Sequence, residues 1–322
     1  MTAAPTPQPP LVSAWRRALR WVYMTLVLVA FAAAIIARRE DLAAQVTRTD
    51  PGSLAISVAA GFAGVGVSGL VWRRMLIGLG SALPWRIAAK VFFVAQLGKY
   101  LPGSVWPVLA QAEMGRDHGV PKRSAVAAQT LFMWVHLVTG GILGLPVMAA
   151  VGLIPRWLGV VPLALLVLLF PGPLAAAMSA VLRRLGREPL PSRPSARDMA
   201  VASGWAVVMW LLYGLHVHHA ISALEFPAPG PLPVLVAVGV FAAAWSAGFL
   251  FLIAPAGVGV REVVLIAGLS TIAAPETAFA VTLLSRLFLS AADGVWGGAG
   301  VLAGVGRRGT PPALPSAKPP PR

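Results

Sequence analysis

Six charged residues stand inside stretches of this sequence that are otherwise apolar: Lys99, Glu113, Arg261, Glu262, Arg286 and Asp293. On insertion scales a charge at the centre of a membrane helix costs about 2.5–3.5 kcal/mol, so such residues mark function or a paired architecture. The chemistry they offer is recognition. An arginine guanidinium held in low dielectric grips a phosphate through two parallel N–H bonds. Arg286 and Asp293 are seven residues apart. They share a helix face at a separation of about 10 Å, and meet only through a bridging group or a partner such as Glu262. Arg261 and Glu262 also admit a plainer reading as a loop pair at the cytoplasmic surface, since their depth depends on topology.

Half of these charges, Lys99, Arg261 and Glu262, lie beside a break in the chain. Ile87–Tyr100 is interrupted at Leu101-Pro102-Gly103, and Val105–Asp117 must then return to the side it came from. Ala254-Pro255-Ala256-Gly257-Val258-Gly259 precedes Val263–Ala274, a segment of about a dozen residues that stops at Pro275 and is too short to span untilted. Proline removes a helical hydrogen bond and glycine frees the backbone, so both sites are breaks. Backbone groups freed at membrane depth must line a cavity or be buried in protein, and helix N-termini beside them offer N–H donors to an anion. Two interrupted segments, one in each half of a chain, point to a transporter-like binding site; kinked packing helices are the plainer alternative.

The elements that must hold these residues are membrane helices. With 57% hydrophobic and 11% charged residues, the chain lacks the charge of a soluble surface. Apolar runs of spanning length cover Trp21–Ala37, Ser53–Trp72, Ser124–Gly152, Trp157–Leu182, Met199–Leu224, Leu232–Ala254 and Thr277–Val305. A β-barrel would instead alternate in shorter segments. Arg16, Arg17 and Arg20 ahead of the first run resemble a signal peptide, but the run exceeds a signal core and is read as a retained helix. Residues 1–14 and 307–322 are read as disordered Pro-rich tails around a single helical domain, 15–306. The net charge of +15 comes from short basic clusters between the runs, a topology signal rather than a nucleic-acid surface. With both termini inside, only Arg38, Arg39, Arg48 and Arg156 fall outside, and Lys99, Arg261 and Arg286 remain within hydrophobic segments. The absence of cysteine excludes a disulfide framework and a thiol nucleophile.

Gln96-Leu97-Gly98-Lys99-Tyr100-Leu101-Pro102-Gly103, followed by Trp106 and Arg116, resembles the first signature of the lysylphosphatidylglycerol synthase transmembrane (flippase-like) family. Pro255-Ala256-Gly257-Val258-Gly259-Val260-Arg261-Glu262, followed by Arg286, resembles its second. The resemblance covers residues 15–305 and implies a multi-spanning helical domain that handles or translocates lipid, with a substrate role for Arg116, Glu262 and Arg286. Three departures stand out. Val105-Trp106-Pro107 replaces the acidic residue expected after the first glycines. Gln129–His136 stands where the family has a Glu-Arg pair. No synthase domain follows Val305, so lipid aminoacylation is not carried over.

Weaker constellations remain. Among His216, His218 and His219, His216 and His219 share a helix face, but no third ligand for a metal is evident apart from Glu225 beyond the helix. Gly66-Val67-Ser68-Gly69 with His136, Gly140 and Gly144 resembles the serine and histidine elements of rhomboid intramembrane proteases, but close helix packing explains the small residues equally. Trp21, Trp72 and Trp157 read as an interfacial belt. The expectation is an all-α polytopic bundle with two Pro/Gly-broken segments that moves or presents an anionic lipid or lipid-linked precursor in the cell membrane. It is expected to be no enzyme and to need neither cofactor nor metal. A non-transporting subunit that anchors a partner enzyme is the alternative, and a homo-oligomer is open. The candidate site joins Lys99, Tyr100, Pro102, Gly103, Trp106, Glu113, Arg116, Pro255, Gly257, Gly259, Arg261, Glu262, Arg286 and Asp293.

Overall fold

The computed structural model describes residues 49–100, 105–172, 192–225, 232–251 and 257–305, with isolated positions among 29–37 and 180–186. Both tails, most of the span Trp21–Ala37 and the break residues Pro102, Gly103 and Pro255 lie outside the described residues. The described helices are α1 (Pro51–Gly78), α2 (Trp85–Gln96), α3 (Trp106–Arg116), α4 (Lys122–Ala150), α5 (Val161–Leu165), α6 (Ala196–Leu224), α7 (Leu232–Leu250), α8 (Val260–Leu269) and α9 (Pro275–Val305), and no strand occurs among the described residues. By length and composition α1, α4, α6 and α9 can each cross a membrane.

The ends of these helices are set by local chemistry. The Asp50 carboxylate accepts from the N–H groups of Gly52 and Ser53 at 3.3 and 2.8 Å, capping α1, whose first residue is the conformationally suited Pro51. Ser195 and Asp198 form a reciprocal capping box on α6. Where the sequence suggested a regular span over Trp157–Leu182, the described part is a chain of short turns: 3-10 at Arg156–Val160, one turn of α5, then 3-10 at Leu166–Leu169. Pro162 near the start of α5 cannot donate a backbone bond, which prevents a continuous ladder.

Packing reveals an order that hydropathy conceals. α1 and α6 lie antiparallel: the Asp50 N–H donates to the Ala223 carbonyl at 2.8 Å, Gly64 faces Tyr213, and Gly78 faces Asp198. Around that pair the same unit occurs twice. In each, a long helix is followed by a hairpin of two shorter helices and then a second long helix: α1, α2–α3, α4 and again α6, α7–α8, α9. The hairpins are exchanged, because α7 packs on α4 while α2 packs on α9. Gly144 touches Ala243 and Gly239 touches Val147 at the first contact; Gly300 touches Lys90 and Gly297 touches Leu97 at the second. Since α1 and α6 run oppositely, the units are inverted, and the hairpins enter from opposite ends of the bundle.

The register also fixes depth. Extending the pairing of Gly144 with Ala243 and Gly140 with Ser246 puts Leu250, where α7 ends, opposite His136 in the middle of α4. Leu232–Ala254 is therefore one arm of a hairpin and not the full crossing its hydropathy suggested. Likewise Tyr100, at the end of the 3-10 turn after α2, reaches Ser290 and Asp293 in the middle of α9. Gly140 and Gly144 let α7 approach α4 closely, since an added Cβ would lie 2.5 Å from Ser246 Oγ and 2.8 Å from the Ala243 nitrogen. Trp157 is exposed, as a belt residue should be, whereas Trp72 is fully buried against Phe92 and donates its indole N–H to Gln111. Hydropathy could not separate the two tryptophans.

Candidate functional site

The two hairpin tips meet α9 at mid-depth, and each brings a charge that α9 answers. At the first tip, Lys99 Nζ lies 2.7 Å from Asp293 Oδ2, and the Tyr100 hydroxyl donates to the same oxygen at 2.6 Å. At the second, Glu262 Oε1 lies 3.4 Å from Arg286 Nε, while its other oxygen accepts from the Gly259 N–H at 2.5 Å. Arg286 and Asp293 thus do not share a bridge. They belong to separate pairs about two turns apart on one face of α9.

The second break has backbone geometry that only glycine adopts freely. Gly257 and Gly259 have φ of 68° and 93°. The Cα of Gly257 is also pressed against Gly248 of α7, and a Cβ there would lie 2.8 Å from the Gly248 Cα. This close approach lets α8 fold back along α7, with Gly268 beside Val240. It also aims Arg261, in the first turn of α8, at the space between the hairpins.

That space is a cavity of about 490 Å³. Lys99, Tyr100, Gly257, Arg261, Arg286 and Asp293 line it, together with Gln96, Gln129, Thr130 and Ser290. Aromatic side chains, among them Phe92, Phe132, Tyr213, Phe241 and Trp245, complete the wall. The charges inside are not balanced. Lys99 has Asp293 and Arg286 has Glu262, but Arg261 has no carboxylate within ion-pair distance among the described residues. Its guanidinium rests over the Phe241 ring, 4.9 Å from the centroid. A cation–π contact of this kind leaves the guanidinium edge available for hydrogen bonds. An apolar cavity with a few convergent polar groups and one surplus cation suits an amphiphile with an anionic group.

The remaining candidates fall elsewhere. Glu113 and Arg116 are exposed near the end of α3 and bond at 2.7 Å, with Lys122 on the other Glu113 oxygen at 2.9 Å. The hydrogen bond from Lys122 and the nearby Arg116 charge hold the Glu113 carboxyl below its ordinary range. Trp106 backs onto Gly98 and is half exposed, outside the cavity lining. Residues the charge-based reading did not select, such as Gln129 and Ser290, were legible only through packing, although Ser290 lies three residues before Asp293 and hence on its face. Ser68 donates to the Val65 carbonyl, and the His136 ring nitrogens contact the Phe132 carbonyl and Met209 Sδ, so the two are not bonded to one another. His216 is held by Ser57, and no cluster able to hold a metal occurs among the described residues.

Fold and cavity together define a class: a helical membrane protein with inverted hairpins closing on a charged mid-depth cavity. The chain belongs to the lysylphosphatidylglycerol synthase TM region family, whose sequence model matches residues 18–297. No curated protein matches it.

Proposed function

We propose that this protein binds an anionic lipid or lipid-linked precursor in the mid-depth cavity and carries it between the leaflets of the cell membrane without altering it chemically. The observation that carries the reading is Arg261: a cation facing an apolar cavity, with no carboxylate partner among the described residues, between two hairpins of opposite entry. A buried charge of this kind is costly unless something completes it, and a phosphate does so with charge-assisted bonds. Inverted hairpins around a fixed central site are the arrangement by which many transporters expose one site to either side in turn. Family membership adds support, since the family is named for the membrane region of a lipid synthase. The absence of a bond between Ser68 and His136 argues against serine hydrolysis.

Both termini are proposed to be cytoplasmic, from the distribution of Lys and Arg. In the chain, which has no native cysteine, cysteines at Ala82 and Asp117 are expected to resist an impermeant thiol reagent in intact cells, and one at Glu276 to react. The function is tested with purified protein in vesicles doped with a fluorescent anionic phospholipid. Arg261→Gln is expected to abolish movement between leaflets while the protein still folds. Undiminished movement in Arg261→Gln overturns the reading. Binding in the wild type without any movement assigns the chain to a presenting or anchoring role instead.

A further inference from the structure

A chain of buried hydrogen bonds that ends at the cavity wall carries information about what sits there. Three fully buried side chains from three helices form a relay: Trp72 of α1, Gln111 of α3 and Gln129 of α4. The indole N–H of Trp72 lies 2.8 Å from Gln111 Oε1, and Gln111 Nε2 lies 2.8 Å from Gln129 Oε1. Glutamine oxygen and nitrogen are ordinarily hard to tell apart, but this chain has one sense only. An indole can donate and cannot accept, so Gln111 must present its oxygen to Trp72. Its NH2 then faces Gln129, which must answer with its own oxygen. The relay thus ends in the Gln129 NH2 group, two donors whose orientation is fixed two residues upstream.

That terminal nitrogen has no hydrogen-bond partner among the described residues, although Gln129 is 1% exposed and lines the cavity. A buried donor without an acceptor carries its full desolvation cost, and buried amides in folded proteins are as a rule satisfied. The hydrogen bond from Gln111 holds the amide in this orientation.

We propose that Gln129 is a specificity-determining binding residue, whose Nε2 donates to an uncharged oxygen of the lipid whose anionic group sits at Arg261. The inference rests on the function proposed above and narrows the substrate class. The ligand needs, besides its phosphate, a neutral acceptor: an ester carbonyl of the glycerol backbone or a hydroxyl of the headgroup. A donor-only amide does not discriminate these by itself, and the arms of the experiment do.

Native mass spectrometry or lipid-dependent melting of the full purified chain measures affinity for phosphatidylglycerol, for phosphatidic acid, which lacks the headgroup hydroxyls, and for an ether-linked phosphatidylglycerol, which lacks the ester carbonyls. Gln129→Met keeps the length of the side chain and removes the donor. It is expected to weaken phosphatidylglycerol about threefold to tenfold, the scale of one neutral hydrogen bond. It should also erase whichever difference the wild type makes between phosphatidylglycerol and the matched lipid without the acceptor. Its lipid-free melting temperature should move little, because one orphan donor, Gln129 Nε2, is exchanged for another, Gln111 Nε2. If Gln129 only ties α3 to α4, lipid-free melting falls while affinity is unchanged, and the inference is overturned. Loss of binding in Arg261→Gln with full binding in Gln129→Met overturns this inference and leaves the anionic-lipid reading standing. Full binding in both variants overturns both. Should Gln129→Met not accumulate, Gln111→Met is read in its place. It frees the amide to rotate, and a loss of about twofold is expected, whereas no loss counts against the inference.

Discussion

The two hairpins are built alike and charged oppositely. α2–α3 brings a cation, Lys99, to an aspartate of α9, whereas α7–α8 brings an anion, Glu262, to an arginine of the same helix. If that were all, the cavity would be neutral and each pair would be explained by architecture. The second hairpin differs by one residue: Arg261 precedes Glu262 and is left over. The lesson is that intramembrane charge counts as functional only after its partners have been subtracted. Arg286, one of the residues to which the family resemblance gave a substrate role, is partly accounted for by Glu262, and the surplus falls on Arg261.

The comparison predicts unequal consequences. Glu262 is the more deeply buried carboxylate, and its removal takes away both the ion pair to Arg286 and the acceptor of the Gly259 N–H. Glu262→Ala is expected to lower stability by about 3–5 kcal/mol, read from thermal melts in detergent. Lys99 is a third exposed, and without it Asp293 keeps the Tyr100 hydroxyl, so Lys99→Ala should cost less, about 1.5–3 kcal/mol. Equal losses would mean that the tips are not held as described. Replacing both members of a pair by well-packed apolar residues should restore much of the stability, as is common for buried ion pairs. Arg286→Ala/Asp293→Ala should not show such recovery, because it takes one member from each pair.

A second contrast lies in how each hairpin seats on its long helix. A Cβ at Gly144 would meet the backbone of Ala243 at 2.8–3.0 Å, whereas one at Gly297 would meet the end of the Leu97 side chain. Backbone cannot yield as a leucine can. Gly144→Ala is expected to cost about 1–3 kcal/mol and Gly297→Ala distinctly less, by the same melts.

The smallest effect concerns the exposed end of α3. Because Lys122 and Arg116 hold the Glu113 carboxyl below its ordinary range, its contribution is present above the unfolded value near 4.5 and lost as pH falls through the lower folded one. Glu113→Gln should flatten a slight acid dependence of stability and leave lipid movement at neutral pH unchanged. A loss of movement would bring Glu113 and Arg116 back into the site, contrary to their position outside the cavity.

Much of this was legible in the sequence, and the limits have physical causes. Span length and Pro/Gly breaks follow from local chemistry, so the long helices and both interruptions could be read directly. Pairing is a property of packing. Nothing in the string says that Lys99 meets Asp293, 194 positions away, whereas the seven-residue gap between Arg286 and Asp293 already pointed to a partner such as Glu262 for Arg286. The full crossing expected at Leu232–Ala254 failed for the same reason, since hydropathy measures apolar length and not where a neighbour ends. Trp72 looked like a belt residue because its position near a span end was visible and its hydrogen bond to Gln111 was not.

That α9 answers both hairpins also bears on how the chain is made. It is the last described helix, and translation proceeds at about 5–20 residues per second. Lys99 is therefore inserted roughly ten to forty seconds before Asp293 has been synthesised. During that interval the first hairpin carries a charge that nothing in the chain yet made is seen to neutralise, and it must linger near the lipid headgroups or in the care of the insertion machinery. The bundle is closed by the last of its described helices, in the manner of a keystone, and a ribosome stalled before residue 293 should leave the first hairpin unseated.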